Sequence, residues 1–375
     1  VGEAVNVKEG CEVPRQNELK ASEGGAAKTS DQTPAGDGCR CGASDARHGH
    51  DHAHPAHAHA HAAPGHDHDH SHDHDHDHSH DHGHDDDHEH HHHGEHTGLP
   101  KARTGTVGIL LAAFGCALDH AQRHFTAFEE HVRGKHPGVA VRWAFTANRI
   151  RARLRQRGHV CSSVAEALTE MLDDGVRHVV VQSLHTVPGV EYDWTVQQAM
   201  GMLHPRKGLS DVSIGSPLLH GPADILQTAA AARRYLPADR TGADAVVLVG
   251  HGTYHQGQTY YMAFESALSR LEPDVIVGTL LGEPGLPSVI QRLLQMQARR
   301  VFLVPFMCVP GHHVEVDILG DGDRSWKSAL SSCGFDVVPV RKGSLGDAGF
   351  RDIWLAHLDA ASDRLLAQMR QEGRA

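Results

Sequence analysis

Nowhere in the 375 residues do apolar side chains run unbroken for the roughly 18 positions that a membrane-spanning helix requires. The N-terminus also lacks the apolar core of a secretory signal peptide. A cytoplasmic protein with no membrane partner is therefore expected; a periplasmic one follows only if a leader preceded Val1. Neither a phosphate-cradling G-x-x-x-x-G-K-[ST] loop nor a G-x-G-x-x-G turn occurs, so no organic cofactor is expected. The seven cysteines are odd in number and lack framework spacing, which argues against a disulfide scaffold. Cys39 and Cys41 form a lone C-x-C. There is also no basic excess. The formal charge of −12 belongs to residues 1–100, which hold 20 acids against 6 bases, while the remainder holds 27 against 29. Nucleic acid is not an expected partner.

What the chain has instead is histidine. Residues 1–100 carry 23 of the 37 histidines, all of them between 48 and 96, where His alternates with Asp or Ala. Such a stretch has no apolar surface to bury, and residues 1–103 are expected to be a disordered tail. Its imidazoles, His66, His68, His70, His72, His74 and His76 among them, suit divalent zinc, nickel, cobalt and copper. Two readings stand side by side: a metal buffer tethered to the folded part, or a solvating tail that binds metal incidentally.

From residue 104 the pattern changes. The run "TVGILLAAFG" announces a strand, "DHAQRHFTAFEEHVRGK" a helix, "VAVRWAFT" a strand and "NRIRARLRQRG" a basic helix. "SSVAEALTEMLDDG" is helical in period and leads into the strand "VVVQSL". The order then restarts with "ADAVVLVGHG", "YYMAFESALSRL", "DVIVGTLLGE", "LPSVIQRLLQMQ" and "VFLVPFM". "VVVQSLHTVPG" and "VFLVPFMCVPG" align without a gap, and both end in Val-Pro-Gly. Strand "FDVVPVRKG" and helix "FRDIWLAHLDAASDRLLAQM" close the chain. The expected fold is α/β, two similar lobes over 104–240 and 241–375. Each is a parallel sheet flanked by helices, with a cleft between them.

Ligands of open parallel sheets sit at the carboxyl ends of the strands. In the second lobe those ends carry His251 and His255, then Glu283, then His312, His313 and Glu315. Two histidines and one carboxylate can hold a divalent ion while leaving positions open, and a neutral imidazole can also accept a proton. His251 lies between two glycines, which permits close approach of a ligand. His255 and His312 are read as solvent-facing neighbours. The first lobe offers Cys116, set against His251 by its place after Gly115, together with His185 and Glu191 as substrate contacts. Arg149, Arg151 and Arg153 on the basic helix have two readings, contacts to substrate carboxylates or a solvated face, of which the solvated face is favoured.

The blocks "VVLVGHGTYH", "VPGHHVEVDILGDGDRSWK" and "VVVQSLHTVPGVEYD" resemble the anaerobic sirohydrochlorin cobaltochelatases of the short, two-lobed type, class II chelatases related to ferrochelatase. The likeness runs from about Thr106 to about Gln368. It implies insertion of Co2+ into sirohydrochlorin, or precorrin-2, in anaerobic cobalamin biosynthesis, with the tetrapyrrole held between the lobes. It also implies that the catalytic histidines are His251 and His313 and that Glu283 completes the metal ligands. The family pattern Phe-Gly-Thr-Ser is Phe114-Gly115-Cys116-Ala117 here, so Cys116 is either a soft ligand or a space filler. Rival expectations are an iron or nickel chelatase on the same fold, and a metal storage or sensor protein with a chelatase-like body. A homo-oligomer is compatible with all three.

Overall fold

The computed structural model describes residues 106–371; the histidines of the tail lie outside them. The first half of the chain runs β1 (Thr106–Ala113), α1 (Asp119–Lys135), β2 (Ala140–Phe145), α2 (Asn148–Gln156), α3 (Val164–Asp173), β3 (Val176–Ser183), α4 (Val190–Gly201), β4 (Asp211–Gly215) and α5 (Pro222–Tyr235). The second runs β5 (Ala245–Gly252), α6 (Thr259–Leu268), β6 (Val275–Leu281), α7 (Leu286–Gln295), β7 (Arg300–Pro305), α8 (Trp326–Ser332), β8 (Asp336–Pro339) and α9 (Ala348–Gln371).

Two four-stranded sheets result, ordered β2-β1-β3-β4 and β6-β5-β7-β8, with every neighbouring pair parallel. The two orders are the same, as the internal repeat predicts. The strands read as unbroken apolar runs because helices cover both faces of each sheet, and β1 and β5 are buried almost throughout.

One strand escaped the sequence reading. β4 is five residues of "DVSIG", too short and too polar to register as an apolar run. It is stabilised by a buried pair: Asp211 faces His178 of β3 in register, and Oδ2 lies 2.6 Å from Nδ1. Burying either group alone would cost several kcal/mol, on the order of 2–7. Together they satisfy one another.

The helices do not respect the sequence boundary at 240/241. α9 was expected to close the second lobe, yet it packs on the first sheet. Its Arg364 donates to the Ile214 carbonyl of β4 at 2.8 Å, and its His357 meets the Ser216 carbonyl at 3.1 Å and Asp224 of α5 at 3.0 Å. Conversely, α5 reaches the second sheet, where the Tyr235 hydroxyl donates to the Pro305 carbonyl at the end of β7 at 2.8 Å. Hydrophobic periodicity told that these helices have an apolar face, but not which sheet covers it.

The exchange knits one continuous core from both sheets, including Leu111, Val180, Leu248, Phe302 and Trp354. Phe264 stacks on Phe306 at 4.8 Å, and Phe306 meets Phe350 of α9 edge-on at 5.6 Å. Truncating a fully buried aromatic such as Phe306 to alanine would cost about 3–5 kcal/mol. The lobes are thus held together by packing, and the carboxyl ends of their strands share one cleft.

Candidate active site

The cleft contains a cavity of about 950 Å³. That is at the upper end of small-molecule sites and suits a large ligand. Phe114, Val190, Tyr254, Leu281 and Val316 give it apolar walls. His251 is the penultimate residue of β5, and His313 lies in the loop after β7, so the two central strands of the second sheet deliver both.

The backbone at His251 turns sharply. Gly252 has φ +73°, and a Cβ there would stand 1.9 Å from the Leu281 carbonyl oxygen, so the position admits only glycine. Gly115 of the first lobe has φ +92°. The strand register makes these two glycines counterparts. Ala112 pairs with Ser183, Val249 pairs with Pro305, and the repeat aligns Ser183 with Pro305. Counting on from Ala112 and Val249 sets Phe114, not Cys116, opposite His251. Cys116 is therefore not the counterpart of His251, because the shared left-handed glycine, Gly115 with Gly252, sets the alignment two residues earlier. Phe114 and His251 face each other across the cleft with ring centroids 6.1 Å apart.

His251 and His313 come together, their ring centroids 4.9 Å apart and their planes at 70°. Each ring is held through Nδ1. In His251 this nitrogen donates to the Gly252 carbonyl at 3.0 Å, because a carbonyl can only accept. In His313 it lies 2.7 Å from Oδ2 of Asp317. Both bonds leave the lone pair on Nε2, the tautomer a metal ligand or a proton acceptor needs. Asp317 carried no role in the sequence reading. The available signal was its spacing of four from His313, on a π-helical turn over Val314–Ile318, a kind of turn frequent at functional sites.

Glu283 is not brought to this pair. Its Oε2 accepts from the Gly285 backbone N–H at 2.8 Å and from the Ser288 hydroxyl at 2.9 Å, an anionic cap at the start of α7. The residue of this loop that lines the cavity is Leu281, the last of β6. Among the described residues, no three His, Cys, Asp or Glu side chains are grouped to hold a metal ion. The expected set of His251, Glu283 and His313 is therefore not assembled. The strand-end rule located the loop correctly but could not tell which of its side chains turns inward.

Cys116, His185 and Glu191 all line the cavity. Burial pushes the Cys116 thiol up, keeping it protonated and a poor ligand in that form. His185 is held down to about 4 by burial, so its ring is neutral near pH 7; Nδ1 meets the Ser183 hydroxyl at 2.9 Å. The Tyr261 hydroxyl, which meets Thr186 and Gly252, is pushed up to about 12 by burial and stays protonated. His312 is exposed, and it also lines the cavity, so it is more than a solvent-facing neighbour. His255 is not a solvent-facing neighbour: its Nδ1 accepts from the Gly257 N–H at 3.2 Å, and its Nε2 reaches Asp193 of α4 at 3.2 Å, a bridge between the lobes. Nor are the three arginines of α2 one solvated face, since Arg149 and Arg153 line the cavity while Arg151 does not.

Residues 107–363 match the family model described as cobalt chelatase (CbiK). The chain belongs to the CbiK cobalt chelatase family. Across 258 residues it is 40% identical to the sirohydrochlorin cobaltochelatase CbiKC of Nitratidesulfovibrio vulgaris (strain Hildenborough), an alignment covering 69% of this chain and 91% of that protein. To the sirohydrochlorin cobaltochelatase of Salmonella typhimurium it is 28% identical over 255 residues, 68% of this chain and 95% of the relative. Among solved structures, SirB from Bacillus subtilis with Fe3+ superposes with a TM-score of 0.48 at 16% identity, over 68% of this chain and 95% of that one. In this CbiK-family chain the family match spans both sheets, both histidines and most of α9.

Proposed function

We propose that this chain inserts Co2+ into sirohydrochlorin, as the names of its relatives from N. vulgaris and S. typhimurium state for them. The observation that carries the reading is the His251–His313 pair, 4.9 Å apart in a cavity sized for a macrocycle. Insertion strips water from the ion and removes two pyrrole N–H protons. Two Nε2 lone pairs from neighbouring rings can hold Co2+ loosely, leaving its other positions to water and then to the ring nitrogens. As the metal transfers, the two imidazoles so vacated can each take up one of the two pyrrole protons and release it to solvent. Asp317 fixes the His313 ring and lies close enough to balance the charge it gains. Glu283 is assigned to the α7 cap.

The test is optical. Purified protein with sirohydrochlorin and Co2+ is expected to shift the visible spectrum to that of the metallated ring. A faster change with Fe2+ or Ni2+ would reassign the metal, and no change with any of the three would leave only storage or sensing.

No helix among the described residues is long and apolar enough to cross a membrane. We place the activity in the cytoplasm, which cell fractionation tests. We further propose that the His/Asp-rich stretch, with His66, His68, His70, His72, His74 and His76, buffers the metal that the enzyme uses. Deleting residues 1–100 is then expected to leave the rate at saturating Co2+ intact and to lower it when Co2+ is scarce. Equal rates at every concentration would remove that role.

A further inference from the structure

Glycines flank His251 on both sides, and different contacts require them. Gly252 answers to its positive φ and to the Leu281 carbonyl. Gly250 does not turn to positive φ. It lacks room for a side chain instead, because a Cβ there would stand 2.4 Å from Cε1 of Tyr261. The ring of Tyr261, on α6, thus lies directly against the strand residue before His251. It is 2% exposed and lines the cavity.

The hydroxyl of the same side chain reaches the residue after His251. It meets the Gly252 backbone and the Thr186 side chain in hydrogen bonds. Both bonds favour the charged form of the phenol, so both are donated to its oxygen, by the Gly252 N–H and by the Thr186 hydroxyl. Gly252 is therefore held at both ends, its N–H by Tyr261 and its carbonyl by Nδ1 of His251 at 3.0 Å. Glycine has the freest backbone of all residues, so this turn keeps its orientation only as far as its partners fix it. The Nδ1–H tautomer of His251 depends on that orientation, because the Gly252 carbonyl is what accepts its proton.

Thr186 belongs to the other lobe, in the loop after β3, and its contact is one of a series. A Cβ on Gly257 would stand 2.4 Å from the Pro188 carbonyl oxygen. One on Gly189 would lie 3.8 Å from the Thr253 side chain, and His255 reaches Asp193 at 3.2 Å. The loop after β5, which follows directly on His251, is thus pressed along its length against the loop after β3 and the start of α4. Tyr261 is the point where that seam touches the histidine's own turn.

Building on the proposed role of His251, we infer that Tyr261 is a positioning residue for it, holding the Gly252 turn against Thr186 of the first lobe so that the imidazole keeps its Nε2 lone pair for the metal. The first lobe then contributes to the reaction through a histidine of the second. Groups that orient a metal-binding imidazole from behind are worth roughly 10- to 100-fold in activity. The effect falls on the reacting ring and not on the macrocycle's binding, so it belongs to kcat and not to KM.

The test is steady-state cobalt insertion into sirohydrochlorin by the full chain, with kcat and KM measured separately. Tyr261→Phe keeps the ring against Gly250 and loses only the oxygen. It is expected to lower kcat roughly tenfold and to leave KM for sirohydrochlorin within about twofold. Thr186→Val should lower kcat by a smaller factor, while Thr186→Ser, which keeps a hydroxyl, should stay within about twofold of wild type. The Tyr261→Phe/Thr186→Val double variant should fall no further than Tyr261→Phe alone, because both lose one network. Circular dichroism checks each fold, and the two Thr186 variants carry the test if Tyr261→Phe does not fold. A wild-type kcat in Tyr261→Phe overturns the inference, as do losses that multiply in the double variant. A loss confined to KM overturns it too, by making the phenol a substrate contact. If His251→Ala itself turns over at the wild-type rate, the inference falls together with the reading on which it rests.

Discussion

Nδ1 of His313 lies 2.7 Å from Oδ2 of Asp317, on a π-helical turn that begins at Val314. The carboxylate does two separable things: it orients the ring and it supplies a negative charge beside it. Asp317→Asn keeps an oxygen that accepts the Nδ1 proton but removes the charge, whereas Asp317→Ala removes both. Cobalt insertion at saturating substrate is expected to fall by roughly 10- to 100-fold in the alanine variant, with the asparagine variant between it and wild type. A full rate in Asp317→Ala would show that the contact is incidental.

Glu283 gives the opposite expectation. With its carboxylate on the Gly285 N–H and the Ser288 hydroxyl, Glu283→Ala should cost about 1 kcal/mol in urea unfolding, as loss of a helix cap does. Cobalt insertion should proceed at the wild-type rate. Unchanged stability with a raised Co2+ requirement would return Glu283 to the ligand set.

These two residues show where the sequence was legible. The repeat of strand, helix and Val-Pro-Gly was enough to place His251 and His313 on the same sheet edge, because register follows from apolar runs and glycine turns. It was also enough to choose the right loops. It could not choose among side chains within a loop: Leu281 turns to the cavity while Glu283, two residues on, turns to α7. It could not find β4, whose burial depends on the pairing of Asp211 with His178 across 33 positions. The alternating arginines of α2 were legible in principle, since the 3.6-residue period separates Arg149 and Arg153 from Arg151. Only the fold shows which side of the helix meets the cleft. The route of α9 back to the first sheet had no local signature at all.

His185 predicts a pH dependence of stability. Burial holds its folded-state pKa down to about 4, against 6.5 for the ordinary imidazole. Between those values the unfolded chain binds the proton and the folded chain does not. The contribution of the neutral ring is therefore fully present above pH 6.5 and is lost as pH falls toward 4, by up to about 1.4 kcal/mol per pH unit. Urea midpoints of wild type and His185→Asn, measured from pH 7 to pH 4.5, should converge as the pH drops. Parallel curves would mean that the ring already has access to a proton in the folded state.

His251 and His313, 4.9 Å apart, are proposed to carry the metal to the macrocycle. The most direct measurement is the rate at which sirohydrochlorin takes up Co2+, followed by visible absorption, with wild type, His251→Ala and His313→Ala. Each substitution is predicted to lower the rate by roughly 100-fold or more with the fold intact by circular dichroism. Near-wild-type rates in both variants would contradict the account.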